Sequence, residues 1–451
     1  MSWTQVTDPY EAFAEQAPSF PSPITFSEWT LNIWETSEEF PQGRWQVVHD
    51  VKYLCEPAKL RIVFSPLDLP RRDVLPQTLE LFRVLNVPSD FTAERIQSVS
   101  HSFGRRTVES GCQSWFHFLC KNISIKYNTS NVPEVEKTTA AALGFPSSYL
   151  PQADYSWLRS GFFMHAGNDG DVTLVCFGAT AKVRKRLHDF ISGRAWKDTS
   201  TDPYVLFDLV LEALYQEVDE AVWNMNTVFG PLEHMILDYA NSKTVRRMSS
   251  KVPFAALHNC AKHIIHFSEA LSSCLMVAEE TSLHVGSHPY SSWNVSRREL
   301  VQTQLKERLD YRRSVLRSTQ LRLKSLQKRI DNIITLSFNI VTQQDSMLMT
   351  QDSSSMKIIA AITMIFLPTT GVATVVGSQL FVSQRRTDQS GWDVATTPLF
   401  WTTWWVAIPL TLFVIVLATV WHWWMRSEQP RRDVIRAARR VATFGAMGKK
   451  R

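Results

Sequence analysis

The feature that most constrains this chain is an apolar run from Ile358 to Phe381, entered without a break from a long charged stretch. It exceeds the roughly 20 apolar residues that a bilayer-crossing helix needs. Lys357 precedes it, and a helical pattern without a strong breaker reaches back to about Ser296. One helix is therefore predicted to leave an aqueous domain and enter a membrane. The run differs from a plain lipid anchor in two ways. Thr363, Leu367, Thr370, Thr374 and Ser378 recur at spacings of three or four and share one helix face. Hydroxyls in hydrocarbon must face protein or water, so the stripe marks either a helix–helix contact through small residues or the lining of a pore. Pro368 removes a backbone donor and leaves the carbonyl of Met364 without its usual partner, a defect best kept beside a neighbour or a wet cavity.

A second crossing is expected from Phe400 to about Met425. Trp401, Trp404 and Trp405 stand at one end and Trp421, Trp423 and Trp424 at the other, as two aromatic belts. His422 is its one ionisable group, so a lipid-facing outer helix is predicted. The link, 382–399, is short and balanced, with Arg385 and Arg386 against Asp388 and Asp393. The tail, 426–451, carries nine Lys and Arg against Glu428 and Asp433. Much of the net charge of +5 thus lies beside the membrane, as a positive-inside signal and not a nucleic-acid footprint. Both termini are predicted to be cytosolic. Met1 to Pro18 is acidic and has no apolar core, unlike a secretory or transit peptide, which points to the plasma membrane or another non-mitochondrial membrane. Cys55, Cys112, Cys120, Cys176, Cys260 and Cys274 show no Cys-x-x-Cys spacing and read as reduced thiols. The glycosylation triplets at Asn122, Asn128 and Asn294 are then unused.

The 451 residues leave room for two or three domains. Residues 1–40, with Pro18, Pro21 and Pro23, read as poorly ordered. Residues 41–200 read as an α+β domain: β-prone runs at Trp45–Val51 and Leu60–Phe64, a helix near Ser89–Phe103, and a strand over Ser114–Tyr127. A hairpin follows, Trp157–His165 and Val172–Phe177 around Gly167-Asn168-Asp169-Gly170, then a helix over Ala181–Ser192 stopped by Gly193. No Walker loop or Rossmann fingerprint occurs, so no enzyme is expected. Residues 201–295 read as helical, opening at the cap Asp202-Pro203. Val205, Leu206, Leu209, Val210 and Leu214 mark the buried side of that first helix. Asp208, Glu212, Glu217, Asp219 and Glu220 make its other side acidic, as a solvated face or as an attractor of divalent cations. Gly230-Pro231 is expected to break or kink it. A helix over Phe254–Leu283 carries His258, Cys260, His263 and His266, of which His263 and His266 share a face and would need a third ligand to hold zinc.

Residues 296–357 read as a stalk helix begun by a capping box, Ser296 to Glu299. Leu309, Leu316, Leu323 and Ile330 repeat every seven residues, with Leu326, Ile333 and Ile340 in the complementary phase. Arg312 and Thr319 interrupt this partial coiled-coil seam. Near the membrane, Asp345, Met349, Asp352 and Met356 lie on the face that continues to Ile359, Thr363 and Leu367. If identical helices surround an axis, Asp345 and Asp352 become rings of negative charge that concentrate cations. Met356, Ile359 and Leu367 then form an apolar gate able to close by dewetting. The alternative is that both aspartates face solvent.

The fold class predicted is thus an α+β cytosolic domain, a long coiled-coil-like α-helical stalk and two transmembrane helices. That order resembles the CorA magnesium-transporter superfamily. Met356-Lys357, Thr363 to Thr370 and Val372-Ala373-Thr374 are similar to the first membrane helix of its fungal branch. Thr397 to Trp401 and Trp405 to Leu412 resemble the start of that branch's second helix. The resemblance implies a homopentamer in a lipid bilayer, with no nucleic-acid partner, whose first helices line a pore for hydrated Mg²⁺ through Thr363, Thr370 and Thr374. It implies no cofactor beyond a transported or regulatory divalent cation. The family's outer Gly-Met-Asn signature falls on Gly377, Ser378 and Gln379, where the glycine alone is kept and Gln379 still offers a carbonyl oxygen. Arg385 and Arg386 stand where the family has an acidic outer loop. A non-conducting CorA-derived scaffold or sensor, or a zinc-transporting relative, are the alternative readings.

Overall fold

The computed structural model describes residues 10–16, 29–65, 74–97, 102–123, 125–127, 129, 133–135, 156–193, 195–241, 253–287, 295–376, 381–385 and 392–420. The chain divides into two compact units, Met1–Ile340 and Val341–Arg451. Its element order is the one expected: an α/β sheet domain, long helices, and two helices of membrane-spanning character toward the C-terminus.

The first unit contains helices α1 (Glu11–Gln16), α2 (Leu75–Val84), α3 (Ser89–Gln97), α4 (Ala181–Ser192), α5 (Tyr204–Asn241) and α6 (Phe254–His284), and the part of α7 (Val295–Val376) up to Ile340. Its strands are β1 (Leu31–Thr36), β2 (Arg44–Val48), β3 (Leu60–Ser65), β4 (Phe103–Val108), β5 (Gly111–Asn122), β6 (Ile125–Tyr127), β7 (Pro133–Val135), β8 (Ser156–Gly167) and β9 (Val172–Phe177). Seven of them form one sheet in the order β2-β1-β3-β9-β8-β5-β4. Every neighbouring pair is antiparallel except β3 with β9. Side chains alternate across the sheet. Ile62, Phe64, Phe162, Met164, Leu174 and Cys176 enter the core shared with α4 to α7. Val63, Phe163, Val175 and Phe177 enter a second core with α1 to α3.

The predicted hairpin is present, with β8 and β9 paired from Gly161–Phe177 to Ala166–Val172, and Gly170 takes the left-handed conformation at φ 83° that its turn requires. Several boundaries differ. The predicted helix to Phe103 is α3, ending at Gln97, and Phe103 opens β4. The predicted strand Ser114–Tyr127 is two strands, β5 and β6, the latter paired with β7. Trp45–Val51 is β2 followed by a 3₁₀ turn from Val51 to Cys55. Within 1–40, read as poorly ordered, Leu31–Thr36 is an interior strand, since Leu31 and Ile33 are fully buried between β2 and β3. Tyr10 anchors α1 by donating its hydroxyl to the carbonyls of Phe82 and Val87. Helix α7 starts at Val295, so Ser296 sits inside its first turn and not as a cap.

Helices α5, α6 and α7 pack side by side. Contacts of residue 208 with 308, 219 with 322 and 233 with 329 run α5 parallel to α7. Contacts of 279 with 313 and 254 with 338 run α6 antiparallel to it. The heptad residues Leu309, Leu316, Leu323, Leu326, Ile330 and Ile333 are all buried in this intrachain core. Of the expected break or kink at Gly230-Pro231, the break is absent, and α5 continues through to Asn241. Phe229 and Ile236 are fully buried on either side, and Glu233 is held by Arg329, which outweighs one lost backbone bond.

The acidic side of α5 is largely taken up by ion pairs, although Glu220 remains 61% exposed. Asp208, 1% exposed, accepts from Arg308 at 2.7 Å and lies 3.6 Å from Arg312. Glu212 pairs with Arg186, Arg308 and Arg312. Burial alone would raise the Glu212 carboxyl, but hydrogen bonding from Arg186 and the charges of Arg312, Arg186 and Arg308 hold it below the ordinary carboxylate range. Lys182 of α4 binds Glu217 and Glu220, while Asp219 takes Arg322 and the Thr319 hydroxyl. Arg312 and Thr319, the two interruptions of the heptad, are thus the polar partners of this face.

Candidate functional site

The second unit holds the remainder of α7, an antiparallel hairpin of β10 (Phe381–Arg385) and β11 (Trp392–Thr396), and α8 (Pro398–Val420). The apolar windows of α7 and α8 have mean hydropathies of 1.7 and 2.1, and 0% and 6% of them is buried. An apolar helix that stays exposed along its length is not a soluble core helix, and both are long enough to cross a membrane.

Two predicted boundaries change here. The first apolar helix ends at Val376, and Phe381 belongs to β10, where the alternating backbone pairs Phe381 with Thr396. The predicted short loop contains this hairpin, and α8 begins at Pro398, two residues before Phe400, as proline suits a first helical turn. Gly377, Ser378 and Gln379, Arg386 and Asp388, the inner Trp belt, and the basic tail lie outside the described residues.

On α8 the shielded positions are Phe400, Thr403, Ala407, Thr411, Val414 and Ala418, and Ala407 is 2% exposed. Their spacing of three or four makes one seam of mostly small residues, which lets a neighbouring backbone approach closely. Pro368, Gly371 and Val372 of α7 share a cavity of about 420 Å³ with Thr402, Thr403, Val406 and Leu410, which sets α7 alongside α8 there.

The predicted site residues of α7 lie on another side. At about 100° per residue, Asp345, Asp352, Met356, Ile359, Thr363, Leu367, Thr370 and Thr374 fall within a sector of roughly 80°. That sector is centred about 130° around the helix from Pro368, Gly371 and Val372. All eight are exposed, Met356 at 70%, Ile359 at 65% and Leu367 at 68%. The helix thus brings the expected acidic, apolar and hydroxyl groups onto one face, exposed like most of this stretch and turned away from Pro368 and Val372, its partly covered residues.

The threonines use their protons within the helix. Thr363 donates to the carbonyl of Ile359 at 2.8 Å and Thr370 to that of Phe366 at 2.7 Å. Thr374 donates to the carbonyls of Thr370 and Gly371 at 2.8 and 2.9 Å. A hydroxyl has one proton and two lone pairs, so what remains to face outward is an acceptor. Such a surface suits a cation directly, or the outward-pointing O–H donors of its hydration shell, and offers an anion no donor.

The histidine pair gives no metal centre. His263 is 3% exposed and stacks on Phe267, while His266 contacts Glu269 at 3.1 Å and the edge of Trp157. Among the described residues, no group of three or more His, Cys, Asp or Glu is placed to hold a metal ion. Burial, then the charges of Lys121 and Lys262, push the His263 imidazole down to about 3. The six cysteines form no disulfide; Cys55 is exposed and the other five are buried.

No protein-family model matches the sequence, and a comparison with curated proteins finds no match. Solved structures are similar at low identity. The CorA magnesium transporter from Methanocaldococcus jannaschii is 12% identical, covering 87% of this chain and 98% of its own, with a TM-score of 0.38. The full-length CmaX protein is 12% identical, covering 89% and 98%, with a TM-score of 0.43. The soluble domain of CorA from Methanocaldococcus jannaschii is 8% identical, covering 70% and 99%, with a TM-score of 0.36.

Proposed function

We propose that this chain is an integral membrane protein that passes a divalent cation, Mg²⁺ foremost, along an axis surrounded by several copies of α7, five by the sequence resemblance to CorA transporters. The observation that carries this reading is the one face of α7, exposed along its length and turned away from the α8 contact, on which Asp345 and Asp352 are followed by Met356, Ile359 and Leu367 and by Thr363, Thr370 and Thr374. A hydroxyl stripe at membrane depth needs protein or water against it, and α8 packs elsewhere. Copies arranged with this face inward satisfy it. The aspartates then concentrate cations at the inner mouth, the apolar collar gates by dewetting, and the threonine lone pairs solvate the passing ion. Gly377, Ser378 and Gln379 form the outer mouth in this reading, and the N- and C-termini face the cytosol.

The test is Mg²⁺ uptake into liposomes holding the purified chain and an enclosed fluorescent indicator, beside an Asp345→Asn, Asp352→Asn variant. Uptake that falls about tenfold in the variant supports attraction by the rings. A second reading, a scaffold or sensor that does not conduct, is favoured by the loss of Met and Asn from the outer signature at Ser378 and Gln379. Folded, oligomeric protein without uptake of Mg²⁺ or Zn²⁺ would establish it over conduction.

A further inference from the structure

Met349 and Met356 fall inside the sector of α7 that holds Asp345, Asp352, Ile359 and Leu367. They are 74% and 70% exposed, the most exposed of the described methionines. Met347 and Met364, at 56% and 45%, lie roughly 160° and 100° around the helix from the centre of that sector. Met164 and Met225 are buried in the core of the first unit. We propose that Met356 is an oxidation site, at which hydrogen peroxide converts the thioether to a sulfoxide and thereby eases passage along the ion path. The inference rests on the conduction reading above: copies of α7 with this face inward surround water, which carries a small peroxide to the sulfur.

The step balances with peroxide as the sole co-reactant. A sulfur lone pair attacks one peroxide oxygen and an S–O bond forms as the O–O bond breaks. The departing hydroxide takes the proton left on the transferred oxygen and leaves as water. Sulfur loses two electrons and peroxide gains them. A thioether is a weak acceptor and a soft ligand, whereas Mg²⁺ takes oxygen ligands and its hydration shell presents O–H donors. The sulfoxide supplies the matching oxygen. Met356 ends the apolar collar on the Asp352 side, about 6 Å from Asp352 and about 16 Å from Leu367 along the helix axis. Oxidised, it extends the polar ring of Asp352 and leaves about 12 Å of collar, from Ile359 to Leu367. A shorter apolar constriction stays wet more readily, so closure by dewetting weakens. Met349 lies beyond Asp352, outside the collar, and its oxidation shortens nothing.

In the experiment, liposomes holding the full chain with Cys55→Ser and an enclosed Mg²⁺ indicator are treated with hydrogen peroxide. They are quenched with catalase and divided between uptake and peptide mapping. Sulfoxide is expected at Met349 and Met356 about fivefold faster than at the buried Met164 and Met225, with uptake raised about threefold. Met356→Leu should abolish the rise, and Met349→Leu and Met347→Leu should keep it. Met356→Gln, which carries an oxygen permanently, should show the raised uptake without peroxide, and it keeps the test open if the leucine variant fails to assemble. Uptake indifferent to oxidised Met356, or a rise that survives in Met356→Leu, overturns the proposal and leaves conduction standing. No uptake before or after oxidation, by folded and oligomeric protein, overturns both.

Discussion

Replacing Asp208 by Ala removes the most enclosed charge of the α5–α7 contact. The carboxylate is 1% exposed and holds Arg308 at 2.7 Å, with Arg312 at 3.6 Å. Loss of one partner from a buried pair costs about 3–5 kcal/mol, because the other charge stays desolvated. Here Arg308 is 49% exposed and Glu212 still reaches Arg312 at 3.0 Å and Arg308 at 3.2 Å, which places the expected loss below that range, about 2 kcal/mol. Thermal unfolding of the full chain in detergent, followed by tryptophan fluorescence, should show a midpoint several degrees lower. Adding Arg312→Met to Asp208→Ala removes the more buried of the two cations, 9% exposed, and should recover about 1 kcal/mol of the loss. An unchanged midpoint for Asp208→Ala would mean that the acidic side of α5 is solvated, and would refute the electrostatic account of how the sheet domain grips α7.

Two further outcomes follow from buried groups. The His263 imidazole is neutral in the folded chain down to about 3, whereas an unfolded histidine takes a proton near 6.5, so the unfolded state binds the extra proton between those values. Stability should fall as pH drops from about 6.5 toward 3, by about 1.4 kcal/mol per unit from this group, and His263→Leu should lessen that slope in pH-dependent unfolding; an identical slope would contradict the burial of the ring. Native protein treated with a maleimide should react at Cys55 first, since the other five thiols are buried; rapid labelling of Cys120, Cys260 or Cys274 would contradict the packing of α6 on the sheet.

What was legible in the sequence is what depends on near neighbours. The heptads of α7, the β8–β9 turn and the two apolar helices each follow from residues a few positions apart. The Asp345 to Thr374 face was likewise readable, because helical spacing alone places those residues together. The acidic side of α5 was not, since Arg308, Arg312 and Arg322 lie about a hundred residues further on. Strand β1 is not legible because prolines precede it and its burial depends on β2 and β3. The rotation of the stripe away from α8 was hidden for the same reason, although the spacing of Thr403, Ala407, Thr411 and Ala418 was a signal that this side of α8 meets another helix.

The central claim is that the Thr370 side of α7 faces the ion path and the Val372 side does not. In a Cys55→Ser background, Mg²⁺ uptake into liposomes would be measured for Thr370→Cys and Val372→Cys before and after a cationic thiol reagent. The account predicts uptake by both variants, with block at Thr370→Cys and little change at Val372→Cys. Equal block, block at Val372→Cys alone, or no uptake by folded and oligomeric protein would contradict it.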